Sequence, residues 1–314
     1  MRRAGLRPVP SEAPSPHRHP PERRGKVAVR RATLIAATLT AFSTPFMGSA
    51  VNVALPTIGR DLKMDALALG WVATAFIRAA AASLVPLGRI ADIYGRKRIF
   101  TWGVLLFTAS SCLCALAPSA PFLILARVVQ GVGGAMIFGT GTAILVSVFP
   151  LHERGRVLGF NVAAVYIGLS AGPFLGGLLT EHLGWRSLFL TMLPLGLVIV
   201  YIVAKKITVE WTDARGEPFD APGAVLYAAG LAALMYGFAS LPEARGVGFI
   251  CGGLAGLALF VRREARTAYP ILNLLIFRDN PAFIFSNVAA LINYSATFSV
   301  SFLLSLYLQY IQGL

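Results

Sequence analysis

Nine stretches of this 314-residue sequence are each apolar for about the length that crosses a bilayer, and that repetition constrains the fold most tightly. They run roughly over 33–56, 68–88, 99–117, 122–149, 157–180, 186–204, 221–241, 246–261 and 282–308. In hydrocarbon every backbone N–H and C=O must be paired within the segment, so stretches of this length predict helices packed side by side. The composition agrees, with 56% hydrophobic residues, 13% charged residues and a mean hydropathy of +0.69. A disordered chain would be poor in apolar residues, and a soluble enzyme could not cover its surface with so few charges. The eighth stretch, Gly246 to Val261, is the weakest, being short and glycine-rich.

The charges decide the topology. The formal net charge is +14, from 28 Lys and Arg against 14 Asp and Glu. Counted by loop parity, 22 basic residues fall on one side of the expected membrane and four on the other, with Arg78 and Arg127 inside spans. Basic loops stay cytoplasmic, so the N-terminus is expected inside the cell and the protein in the cell membrane as a multi-pass chain. The same distribution argues against nucleic acid as a partner, because the charge follows the loops and gathers on no motif with interleaved aromatics.

Residues 1–31 are rich in Pro and Arg, lack an apolar face and are expected to be a disordered basic cytoplasmic tail. Contact with anionic lipid headgroups, an inert tail and a start codon placed too far upstream all remain open for it. The apolar stretch from Ala32 to Leu55 is too long for a cleavable signal peptide. Cys112, Cys114 and Cys251 all fall in spans and define no disulfide framework. The four histidines have no metal-ligand spacing, and neither a metal nor a cofactor is expected.

Two loops share a pattern at a constant offset of 89 residues. Gly88, Asp92, Gly95, Lys97 and Phe100 in the first align with Gly177, Glu181, Gly184, Arg186 and Phe189 in the second. Three spans separate equivalent positions, so the units point in opposite directions across the membrane. That is the signature of an inverted-topology repeat, as found in transporters that alternate access around a central site.

The first loop, GRIADIYGRKR, is the most specific signal in the chain. Gly88 is expected to let the end of span two approach its neighbour, and Gly95 to permit a tight turn. Asp92 can pair with nearby arginines or cap a helix. Arg96, Lys97 and Arg98 anchor span three at the headgroups. This loop resembles the signature between helices two and three of the major facilitator superfamily. The resemblance implies a charge latch carried by Asp92, Arg96 and Lys97, with Gly88, Arg89 and Gly95 completing a gating loop. Arg127-V-V-Gln130-G-V-G-G is similar to the family's helix-four motif, where the arginine is implicated in proton or substrate handling. Gly168, Gly172, Pro173, Gly176 and Gly177 resemble the helix-five motif of its antiporters. VNVALP (51–56), FDAPG (219–223) and YLQYIQG (307–313) resemble segments of the 14-helix drug:proton antiporter branch. The resemblance covers about residues 32–314.

Two departures matter. That branch carries an aspartate in helix one where this sequence has Met47, and no acid lies deep in any span. The chain also stops after about nine spans, whereas the family builds two six-helix bundles. The expected fold is therefore an all-α integral membrane bundle of the major facilitator type, with 3+3 inverted repeats and most of the C-terminal bundle missing. The expected divisions are the tail at 1–31, a six-helix bundle at 32–205, a loop with two linking helices at 206–265, and the start of a second bundle at 266–314.

Candidate binding or coupling residues follow from polarity inside spans. Arg78 lies about ten residues into span two, near the midplane, where an arginine costs about 2.5–3.5 kcal/mol. It should face a wet cavity, as an anion or substrate contact, as a residue without a substrate role, or as a partner of the missing half. Arg127 lies about five residues into span four, within possible reach of the outer interface, with Gln130 one turn along. Asn52 and Asn161 are intramembrane amides that can link helices or meet substrate. The expected function is secondary active transport, as export of small amphipathic or drug-like molecules on an ion gradient, with protons implied by the resemblance. The alternative is a truncated, non-transporting remnant or a half-transporter needing a second chain. Lipids and a small-molecule substrate are the expected partners. An enzyme is not expected, since neither a catalytic cluster nor a nucleotide-phosphate loop is present.

Overall fold

The computed structural model describes residues 21–310, with side chains over 27–296 and 299–300. Eleven helices and no strand are found among the described residues. They are α1 (Pro21–Asp61), α2 (Ala66–Tyr94), α3 (Arg96–Ala115), α4 (Ala120–Val148), α5 (Leu151–Leu183), α6 (Arg186–Leu190), α7 (Met192–Lys206), α8 (Ala221–Ala239), α9 (Ala244–Glu264), α10 (Leu275–Asp279) and α11 (Pro281–Tyr310). Eight segments among the described residues are long and apolar enough to cross a membrane, with α6 and α7 counted as one. The ninth expected span is helical as α11 and is not among those eight.

Local chemistry sets the ends. Asp65 caps α2 by accepting from the backbone N–H of Ala68 at 2.7 Å. Asp220 caps α8 by accepting from Gly223 N–H at 3.2 Å. Gly95 and Gly184 end α2 and α5 with φ of +118° and +78°, where a side chain is strained. The weakest expected span proves to be a helix of 21 residues, Ala244–Glu264, because Arg262, Arg263 and Glu264 continue it at its charged end.

The tail expected at residues 1–31 overlaps the start of α1. Residues 21–31 are the first turns of α1 and are not irregular. Extending a helix already nucleated by a long apolar run costs little per residue. Residues 1–20 lie outside the described residues, as does the end of YLQYIQG beyond 310.

The packing follows the repeat. The main pairs within the first seven helices are α1 with α5, α2 with α4, and α3 with α4 and α7. Exchanging α1–α3 with α4–α7 maps the α1/α5 pair onto the α4/α2 pair. Small residues allow both approaches: a Cβ on Gly172 would lie 2.6 Å from Ser49 Cβ, and one on Gly131 would meet the Phe76 carbonyl oxygen. The core lies between these pairs, around Met47, Val51, Ile58, Val72, Leu123, Leu188 and Phe189. α8 and α9 form a hairpin that leans on α2, where Trp71 stacks on Tyr236 at 6.0 Å.

Candidate functional site

The α2–α3 loop is the most densely connected polar region described. Arg96, the first residue of α3, donates through Nε to Asp92 Oδ1 at 2.9 Å and through Nη1 to Ser147 Oγ at 3.1 Å. It also pairs with Asp213. One guanidinium therefore ties α2, the end of α4 and the loop after α7. That loop, 207–220, folds back over the glycine turn. Arg89 pairs with Glu217, Arg96 N–H donates to the Trp211 carbonyl at 2.9 Å, and Ala214 N–H donates to the Asp92 carbonyl at 3.0 Å. Lys97 contributes its backbone N–H, which donates to Glu210 Oε1 at 2.8 Å. Its ammonium group forms no ion pair among the described residues.

The loop thus differs from the sequence expectation in three ways. The ion pairs are made by Arg89 and Arg96, with Lys97 serving through its main chain. Gly88 is not pressed by a neighbour, since a Cβ there would meet nothing within 4 Å. Three partners, Glu210, Asp213 and Glu217, lie outside the motif; their signal in the sequence is an acidic cluster in the loop after span six, opposite an Arg/Lys loop. At the other end, Arg186, which the repeat aligns with Lys97, pairs with Asp61 at 2.5 Å and not with Glu181. Asp61 also accepts from Trp185 Nε1 at 3.0 Å, and this carboxylate joins α1 to α6.

Arg127 does not reach the interface. It is 1% exposed, and its Nε donates to the Val72 carbonyl at 3.2 Å. Its Nη1 donates to Gln130 Oε1 at 2.6 Å, and Gln130 Nε2 donates to Ser111 Oγ at 2.7 Å. Ser111 in turn donates to the Phe107 carbonyl at 2.7 Å, and Phe76 lies 4.8 Å below the guanidinium. The chain of bonds welds α2, α3 and α4 around one buried charge. With no carboxylate among its bonds, the cation is held by carbonyl dipoles, an amide and an aromatic face.

The other intramembrane candidates are not brought to this network. Arg78 faces the α8–α9 hairpin, stacked on Trp71 at 4.3 Å. Asn52 is exposed on α1. Asn161 lies on α5 beside a small cavity with Thr40 and Thr142, and its buried Oδ1 accepts no bond. Of the α5 motif, Gly168, Gly172 and Gly176 face α1, where a Cβ would lie 2.5 Å from the Phe42 carbonyl oxygen, 2.6 Å from Ser49 Cβ and 2.8 Å from Ala50 Cα. Gly177 has only Val53 at 3.9 Å, and Pro173 lies within the helix. At the head of α8, Asp220 takes Arg263 in a two-pronged pair, at 2.9 and 2.7 Å. The Arg263 guanidinium holds that carboxyl below its ordinary range, against the opposing effect of burial.

The sequence model of the Major Facilitator Superfamily matches residues 37–314. The riboflavin transporter RibZ of Clostridioides difficile (strain 630) is 31% identical over 284 residues, covering 90% of this chain and 61% of that protein. Multidrug resistance protein Stp of Mycobacterium tuberculosis (strain CDC 1551 / Oshkosh) is 35% identical over 253 residues, covering 79% and 47%. Cephamycin export protein CmcT of Amycolatopsis lactamdurans is 33% identical over 304 residues, covering 93% and 61%. The chain spans about half to three-fifths of the length of these curated relatives. A match over all but the first 36 residues, on a bundle of repeated helix pairs joined by the ion-paired glycine turn, identifies the chain as a member of the major facilitator superfamily.

Proposed function

We propose that this chain serves secondary active transport, exporting small amphipathic or drug-like molecules on a proton gradient by alternating access. The observation that carries the reading is the latch on Arg96, which joins α2, α4 and loop 207–220 at one end of the bundle. Exposed or half-exposed ion pairs are worth about 0.2–1 kcal/mol each. A cluster of them holds one end closed yet opens at modest cost, as alternation between two access states requires. The latch end carries the basic loops and is the cytoplasmic end, with the N-terminus inside the cell. Relatives named for riboflavin transport, multidrug resistance and cephamycin export support a substrate that is small and amphipathic. Asn161, with its open oxygen, and Asn52, on an exposed face, are the polar contacts offered to it. Arg127, Gln130 and the packed α5 glycines set the frame. Proton coupling rests on the family motifs, since Met47 is fully buried where the branch has its aspartate.

A second reading is favoured by α11, whose described side chains are almost all exposed and whose main neighbour is the short α10. On that reading transport needs a second polypeptide. Expression in efflux-deficient cells tests both, by following accumulation of fluorescent amphipathic cations and of riboflavin, with and without a protonophore. Lowered accumulation that the protonophore reverses is the expected result. Accumulation equal to the vector control, with the chain shown in the membrane, removes export by this chain alone. Rescue by co-expressing a relative's second bundle then supports the half-transporter.

A further inference from the structure

A cleft of about 270 Å³ separates α2 from the α8–α9 hairpin at the end opposite the latch, lined by Trp71, Thr74, Arg78, Tyr236, Ser240 and Glu243 among others. The Arg78 guanidinium lies over the Trp71 ring at 4.3 Å. Its Nη1 is enclosed and donates to nothing. Arginine keeps its charge in proteins, so an enclosed donor of this kind calls for an anion. Among the described residues none supplies one. Glu243, the acid on the cleft wall, is paired with Arg245, and no acid lies deep in any span. The rings of Trp71 and Tyr236, stacked at 6.0 Å, line the cleft and give it an apolar flank beside the charge.

We propose that this cleft binds the anionic head of an amphipathic molecule, a phosphate or carboxylate that accepts from Arg78 while the apolar body lies along Trp71 and Tyr236. The site is separate from the Arg127 network and does not depend on export being this chain's activity. A lipid headgroup and a dissolved amphiphile offer the same chemistry. Binding there would fasten the hairpin to α2, alongside the bond that Tyr227 Oη donates to the Ala81 carbonyl at 3.4 Å.

The test is binding and thermal unfolding of the purified full chain in neutral detergent. The probes are phosphatidylglycerol, phosphatidylcholine, dodecyl phosphate, dodecanoate and inorganic phosphate. Wild type should bind one or more of the amphipathic anions and unfold at a higher temperature with it. Phosphatidylcholine and inorganic phosphate should be at least about tenfold weaker. Arg78→Gln should lose that shift, and without anion it should unfold no earlier than wild type, because it deletes an unpaired charge. Arg78→Lys should retain part of the shift. A response to phosphatidylglycerol alone assigns the site to lipid, and a response to the single-chain anions admits dissolved amphiphiles. The proposal is overturned if no anion shifts the wild type, or if Arg78→Gln responds as the wild type does. It is equally overturned if Glu243→Gln and Arg78→Gln destabilise the anion-free chain alike, since Glu243 would then be the counter-charge.

Discussion

Gly95 and Gly184 stand at the same point of the two repeat halves, each ending a helix with a positive φ, +118° and +78°. Their surroundings differ. A Cβ on Gly95 would lie 2.5 Å from the Glu210 carboxyl carbon, whereas one on Gly184 would meet nothing within 4 Å. Gly184→Ala should therefore cost only the backbone strain, about 1–2 kcal/mol. Gly95→Ala should cost more and also free Glu210 from the Lys97 N–H. Denaturant unfolding in mixed micelles measures the difference, and equal costs would mean that loop 207–220 does not sit on the turn in a bilayer-like environment.

The α5 glycines are not equivalent, and family motifs alone do not rank them. Gly172→Leu should prevent α5 from packing on α1, since the first added carbon already overlaps Ser49. Gly88→Ala and Gly177→Ala should be tolerated within about 0.5 kcal/mol, because the space beside them is open or ordinary. Yield of monodisperse protein by size-exclusion chromatography separates the two classes.

Truncating Arg127 should damage folding more than surface charge changes do. Arg127→Ala leaves Gln130 Oε1 buried without its donor, at about 1–3 kcal/mol, and strips the second donor from the Val72 carbonyl, which keeps its helical partner. Arg127→Lys should not restore the wild type, since one ammonium cannot reproduce two planar N–H directions and the stack on Phe76. Combining Arg127→Met with Gln130→Met removes both ends of the bond and should cost less than the sum of the two. A double-mutant cycle on unfolding free energy measures that coupling.

The pair Asp220–Arg263 gives the hairpin an acid limit. Because the folded carboxyl is held below its ordinary value near 3.8, its stabilisation is complete above that value. It is lost as pH falls through the lower, folded value. Stability of the α8–α9 hairpin, followed by hydrogen exchange, should be flat on this account from about pH 5 to 8 and fall in the acid range. Asp220→Asn should be weaker at neutral pH and should flatten that acid fall.

The spans were legible because length and hydropathy are sums over neighbours in sequence, and hydrocarbon enforces them whatever the partners are. The same holds for the repeat, whose glycines and charges recur at fixed spacing. The fates of the two arginines inside spans were not legible. Arg78 and Arg127 look alike along the chain, yet one is bonded into α2, α3 and α4 and the other opens to the hairpin. Nor did the sequence reveal that Arg89 meets Glu217, 128 residues away, or that Arg186 selects Asp61 over the nearer Glu181. Such pairings depend on which helix faces are brought together. Helix packing decides that through close contacts of small residues, so it belongs to the tertiary structure and not to any local stretch of the chain.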